Sequence, residues 1–325
     1  MPSGSDVPDA LLIPLVTGTQ LAGRFSGQQL SALVLEVIPG SSLISAHRIR
    51  AGSSSLLTEL VVRVPTGIQR LILRSFVSEW QGTPSEKARY SSLVQSTLEA
   101  SGVPVPRLIW VDANGDRLGC PSILEARIPG RVFWPSASRP GAAQAIGRAL
   151  KAIHSVAPPR GLPTPSRWVK WTMQSDTARS GWLHAHPKAA LIAEAINSAA
   201  ERPLRRRGVC SHGDFGPGNI LWLRGRLSGV IDWETAELAP AGSDVGACRI
   251  DCYVTGGPAL AEGFLEGYAT EVRDSWYWEL LCALKFVALY REWLPVWRSF
   301  GLDLDEATAR GRIDAAITDA LARAS

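Results

Sequence analysis

Between residues 210 and 234 the chain gathers polar groups at spacings that suit chemistry. Cys210-Ser211-His212-Gly213-Asp214-Phe215-Gly216-Pro217-Gly218-Asn219-Ile220-Leu221 sets an Asn five residues after an Asp in a glycine-rich loop. Gly229-Val230-Ile231-Asp232-Trp233-Glu234 supplies a second Asp thirteen residues after that Asn. Gly216 and Gly218 permit a tight backbone, so the polar groups can converge. Phosphoryl transfer needs such a set: a carboxylate to orient or deprotonate an attacking hydroxyl, and hard oxygen ligands to hold Mg2+ against phosphates.

Rigid elements must hold that loop, and the flanking pattern supplies them. The apolar segments 220–223 and 227–231 read as the two strands of a hairpin. Upstream, 27–38 carries Leu30, Leu33, Val34 and Val37 on one helical stripe, stopped by Pro39-Gly40. Strand-like runs at 43–49, 56–64 and 70–77, the last two split by Pro65-Thr66-Gly67, predict an antiparallel meander. A helix is expected over 84–100, opened by Pro84-Ser85-Glu86 and broken by Gly102-Val103-Pro104-Val105-Pro106. Strands at 108–111 and 122–125 complete a small α+β unit. After Gly130 the pattern turns mainly helical, at 142–156, 186–200, 276–294 and 306–324. The expected division is a lobe at 1–128 and a larger one at 129–325.

The run from His212 to Asn219 has the spacing H-x-D-x-x-x-x-N of the kinase catalytic loop, and Asp232 stands where the metal-binding aspartate follows. With Ile231-Asp232-Trp233-Glu234, it resembles the aminoglycoside phosphotransferase and choline kinase-like family of small-molecule kinases. His-Gly-Asp replaces the His-Arg-Asp of protein kinases, and Asp-Trp-Glu replaces their Asp-Phe-Gly. The resemblance implies an α+β, two-lobed protein-kinase-like fold with an antiparallel-sheet N-lobe, a helical C-lobe and the active site between them. It implies roles too. Asp214 is the catalytic base or orienting carboxylate, with Asn219 and Asp232 as Mg2+ ligands. Gly52, Ser53, Ser54 and Ser55 cover the nucleotide phosphates, and Arg74 contacts them with Glu86 as its partner. Leu124–Gly130 is similar to the hinge, with Glu125 on the nucleotide side. Asp244 matches a downstream aspartate expected to hold the catalytic loop through backbone contacts, and Arg249 follows it. The loop lacks G-x-G-x-x-G, and Arg74 stands where lysine is commoner, which changes the geometry of phosphate contact.

The 325 residues carry 34 Lys+Arg and 30 Asp+Glu, a net +4 too weak to argue for a nucleic-acid partner. Residues 1–227 hold 26 basic and 14 acidic groups, and 228–325 hold 8 and 16, which suggests an anionic ligand on one side and a cationic one on the other. Ordinary apolar content, 46%, excludes disordered and collagen-like classes. Five scattered cysteines fit a reduced, cytoplasmic protein with buried thiols, and no apolar run is long enough to span a membrane. His184-Ala185-His186 reads as an exposed loop and not as a metal pair. Trp276, Trp278, Trp293 and Trp297 read chiefly as core, with an aromatic substrate wall as the alternative.

The expected activity is transfer of the γ-phosphate of ATP or GTP to a hydroxyl of a small molecule. An aminoglycoside is the first acceptor considered, ahead of choline-like alcohols, amino-acid alcohols, sugars and macrolides. A nucleotide-binding pseudokinase is a rival, which the intact Asp214, Asn219 and Asp232 oppose. A protein kinase is another, opposed by the spacing of only twelve residues from Asp232 to Asp244, too short for a peptide platform.

Overall fold

The structure, a computed structural model, describes residues 25–49, 55–79, 82–134, 140–164, 186–199, 202–299 and 301–324. His184 and Gly52, Ser53 and Ser54 lie outside these residues. The chain divides into two compact units. One runs up to Ser96 and adds Pro106–Arg127. The other is Thr97–Val105 with Ile128–Ser325. The sequence pattern carries no sign that 97–105 associates with the second unit.

The first unit is a five-stranded antiparallel sheet in the order β1-β2-β3-β5-β4, from β1 (Ser42–Ile49), β2 (Ser55–Val64), β3 (Gly67–Phe76), β4 (Leu108–Asp112) and β5 (Ser122–Ala126). Strand alternation sends Leu60, Val62, Leu71, Leu73 and Leu124 to one face, where α1 (Gly27–Val37) covers them with Leu30, Leu33 and Val34. Ser26 and Gln29 cap that helix reciprocally, each side chain accepting the other's backbone N–H. The opposite face carries Phe76 and Ile123, packed with Ala88 of α2 (Pro84–Ala100). Arg74 lies opposite Leu57 and Ile123, and so belongs to that second face.

The second unit is largely helical: α3 (Pro140–Ser155), α4 (Ala189–Ala199), α5 (Ala241–Gly256), α6 (Pro258–Tyr268), α7 (Ser275–Ser299) and α8 (Glu306–Ala324). Two small sheets hold its loops. β7 (Gly208–Ser211) pairs with β10 (Glu237–Pro240), and β8 (Ile220–Leu223) forms the expected hairpin with β9 (Arg226–Val230), flanked by β6 (Arg131–Val132). Pro104 O accepts the backbone N–H of Val230, which ties 97–105 to this hairpin. Buried Arg249 on α5 meets Glu279 on α7 at 2.7 Å, Glu262 on α6 at 2.9 Å and Asp319 on α8 at 2.7 Å, stapling four helices through one guanidinium. Cys248 and Cys252 are buried in the core, as their helical spacing predicts. His186, expected on an exposed loop, is buried at 8% exposure because its Nε2 bonds Asp314 at 2.9 Å. Trp276, Trp278 and Trp297 are buried as well. Among the described residues, no helix is long and apolar enough to cross a membrane.

Candidate active site

The hairpin makes the site. Its ladder pairs Ile220 with Val230, and one step beyond, the N–H of Ile231 donates to Asn219 O at 3.0 Å. That step sets Asn219 beside the backbone leading into Asp232. Asn219 closes a short 3-10 turn, Pro217–Asn219, and its Nδ2 donates to the Asp214 carbonyl at 2.8 Å and to Asp214 Oδ2 at 3.2 Å. Asp214 and Asn219, five apart in sequence, are thereby in contact. Asp232 has φ 71, in the left-handed region, which among non-glycine residues Asp adopts more readily than most.

His212 binds these pieces together. Its Nε2–H donates to Ile231 O at 2.9 Å, and its Nδ1 accepts the Asp214 N–H at 3.3 Å, so one neutral tautomer satisfies both ends. Its ring lies against Trp233, with centroids 4.4 Å apart, and edge-on to Phe215. Gly213 has φ +80, and a Cβ there would overlap the Thr235 carbonyl oxygen, so this position admits only glycine.

Behind the loop stands Asp244, 1% exposed, in the first turn of α5. It accepts the backbone N–H groups of His212 at 2.8 Å and Gly213 at 2.9 Å, and His154 Nε2–H at 3.0 Å. His154 Nδ1 in turn meets the Tyr268 hydroxyl at 2.9 Å. Burial pushes the Asp244 carboxyl up, but the hydrogen bond and charge of His154, with the His212 contacts, outweigh it and hold the group below the usual carboxylate range. Asp244 therefore fixes the loop as an anion. Glu237 nearby is raised first by its own burial and then by the charge of Asp244, which together push its carboxyl up to about 8.

Two residues that sequence reasoning missed face Asp214. Asp251 lies seven residues after Asp244, on the same side of α5, and a Cβ on Gly216 would overlap its Oδ2. Burial, then the charge of Asp214, pushes the Asp251 carboxyl up to about 7, and Lys285 acts in the opposite sense. Lys285, from the middle of α7, places Nζ 3.8 Å from Asp214 Oδ1. The seven-residue spacing from Asp244 could have pointed to Asp251, whereas nothing local marks Lys285.

The nucleotide-side residues read from the sequence lie in the first unit. Arg74, 5% exposed, donates from Nη1 to Ser55 Oγ at 2.8 Å. Glu86 accepts the Thr83 N–H at 2.8 Å and its hydroxyl at 3.0 Å, a reciprocal cap on α2. The polar positions that α2 buries are Lys87, Ser91 and Gln95, and Gln95 Nε2 donates to Glu125 Oε2 at 2.8 Å.

Asn219 and Asp232 fit a hard cation. The Asn219 amide nitrogen donates to Asp214, so its amide oxygen is the atom that could ligate, and the Ile231–Asn219 hydrogen bond brings the backbone leading into Asp232 alongside; an amide oxygen and a carboxylate are donor types that a hard cation takes. Two protein oxygens suit a Mg2+ that takes its remaining ligands from phosphates and water. A carboxylate such as Asp214, 55% exposed at its side chain, can accept a proton from a hydroxyl brought to it.

The chain is similar to known proteins. Residues 48–280 match the model of the phosphotransferase enzyme family, APH. No curated protein matches in sequence. Solved structures do match in fold. One is a thermostable mutant of aminoglycoside phosphotransferase APH(4)-Ia in ternary complex with ADP and hygromycin B, 17% identical, covering 89% of this chain and 98% of that one with a TM-score of 0.59. A second is APH(2")-IIia with GDP and kanamycin, 14% identical, covering 90% and 98% with a TM-score of 0.59. A third is spectinomycin phosphotransferase APH(9)-Ia with ADP and spectinomycin, 15% identical, covering 91% and 97% with a TM-score of 0.55. The α+β, two-unit architecture is that of these kinase-like enzymes, and the family match over most of the chain settles its membership: the protein belongs to the phosphotransferase enzyme family.

Proposed function

We propose that this protein transfers the terminal phosphoryl group of ATP or GTP, with Mg2+, directly to a hydroxyl of a small molecule. The observation that carries the reading is the Asp214–Asn219 contact, locked to the Asp232 segment by the Ile231–Asn219 hydrogen bond. Asp214 takes or orients the proton of the acceptor hydroxyl, and Asn219 Oδ1 and the Asp232 carboxylate hold the cation. When bound, the cation neutralises charge that develops on the phosphates. On the nucleotide, Arg74 contacts the phosphates with Gly52, Ser53, Ser54 and Ser55, while Glu86 and Glu125 order the elements around it. These assignments rest on the resemblance in sequence, supported by the burial of Arg74 against Ser55.

For the acceptor, an aminoglycoside-type antibiotic is the leading candidate. The acidic balance of residues 228–325 suits a polycationic ligand, and the neighbours in fold hold hygromycin B and kanamycin. The test is ADP or GDP release with Mg2+ across aminoglycosides, macrolides, choline, amino-acid alcohols and sugars, the phosphorylated product being identified by mass spectrometry. Acceptor-dependent release with an aminoglycoside supports the reading; release with another alcohol alone overturns that acceptor class but keeps the reaction. Nucleotide binding without turnover on any acceptor favours a pseudokinase.

A further inference from the structure

The catalytic carboxylate is held at both oxygens, and only one of the two holders belongs to the motif. Asn219 Nδ2 donates to Asp214 Oδ2 at 3.2 Å, while Lys285 Nζ stands 3.8 Å from Oδ1. Lys285 comes from α7, seventy-one residues on in the chain. Its ammonium also lies 5.2 Å from the centre of the Trp293 ring, eight residues further along the same helix. The lysine head is thus confined between a carboxylate and an aromatic face.

Among the described residues, Lys285 on α7 pairs with Asp214, and Asp251 on α5, whose carboxyl lies against Gly216 of the same loop, interacts with Asp214 electrostatically. A phosphoryl group delivered here arrives at a site already rich in carboxyl groups. An ammonium beside the outer oxygen offsets that repulsion and fixes which way the oxygen points. Stability alone gives a poor account of the arrangement. A partly exposed ion pair contributes little to stability once the cost of ordering both side chains is counted.

We propose that Lys285 is a positioning residue for phosphoryl transfer, fixing Asp214 Oδ1, the oxygen that Asn219 leaves open, and balancing the Asp214–Asp251 pair. The inference rests on the reading of Asp214 as the group that meets the acceptor hydroxyl.

Two measurements test it, one of them independent of turnover. The chain has five lysines, so reductive 13C-methylation gives a small set of dimethylamine resonances, with Lys285 assigned by its loss in Lys285→Arg. The Lys285 resonance is expected to move in Asp214→Asn; a resonance unmoved by that change overturns the pairing, whether or not the enzyme turns over. In kinetics, Lys285→Met is expected to lower kcat by about 10–100-fold, the range of a slightly misplaced catalytic group, with nucleotide affinity and acceptor KM changed less than about threefold. Lys285→Arg is expected to recover most of the loss. A Met effect confined to KM, a kcat within twofold of wild type, or an Arg variant no better than Met overturns the proposal. If the wild type transfers phosphate to no acceptor, the functional reading fails, and the resonance shift still decides the Lys285–Asp214 pairing.

Discussion

Asp244 anchors the catalytic loop, and replacing it with alanine exposes how much the site depends on that anchor. The carboxylate takes three hydrogen bonds, from His212 N at 2.8 Å, Gly213 N at 2.9 Å and His154 Nε2 at 3.0 Å, and is almost wholly buried. Asp244→Ala strands two backbone N–H groups and one ring N–H in a dry interior. Each orphaned group costs about 1–3 kcal/mol, and breaking a buried charged pair costs about 3–5 kcal/mol, so roughly 4 kcal/mol is expected after partial relaxation. For a unit of this size each kcal/mol moves Tm by about 2–4 °C, giving a drop of about 10 °C. Twelve tryptophans make urea unfolding readable by fluorescence, and Trp233 lies against His212 in the affected region. A cycle with His154→Ala isolates the shared bond, with a coupling of about 1–3 kcal/mol expected. An Asp244→Ala protein within about 1 kcal/mol of wild type, or additive single changes, refutes the reasoning, since buried amides cannot lose their acceptor at no cost.

Gly213→Ala combines a positive φ with overlap at the Thr235 carbonyl, and is expected to destabilise by roughly 2–4 kcal/mol in urea unfolding, against a change under about 0.5 kcal/mol if the loop can shift. Glu237 carries a pH signature. Its carboxyl is raised from 4.5 to about 8, so the folded state keeps the proton longer than the unfolded chain. The associated stability is full below pH 4.5 and lost as pH rises through 8. In Glu237→Gln that loss is absent, and between pH 5 and 9 the variant gains on the wild type by several kcal/mol at most; parallel stability–pH curves contradict the assignment.

What the sequence discloses about the site follows from how local each feature is. Asp214 and Asn219 lie five apart in a glycine-rich turn that runs straight into a hairpin, so their contact follows from local sequence. The helical stripe at 27–38 and the three-strand meander are equally local, and both form where the pattern puts them. Asp251 follows Asp244 by two helical turns, a spacing that could have pointed to it, whereas Lys285 pairs with Asp214 through tertiary packing that no short spacing encodes. Glu86 illustrates the intermediate case. The sequence places it in the first turn of α2, but the phase of the helix against the sheet decides which side chains go inward. Packing buries Lys87, Ser91 and Gln95 there, and sets the Glu86 carboxylate on Thr83 at the helix start. His186 escaped the pattern for a similar reason, its partner Asp314 lying far along the chain on α8.

The central claim is that Asp214 acts on the acceptor hydroxyl during phosphoryl transfer. The most direct measurement compares wild type with Asp214→Asn in acceptor-dependent ADP or GDP release at saturating Mg2+–nucleotide, with nucleotide affinity determined in parallel by calorimetry. A loss in kcat on the order of 10²–10⁴-fold with nucleotide affinity unchanged is the predicted result. An Asp214→Asn enzyme that keeps its kcat within tenfold of wild type contradicts the account.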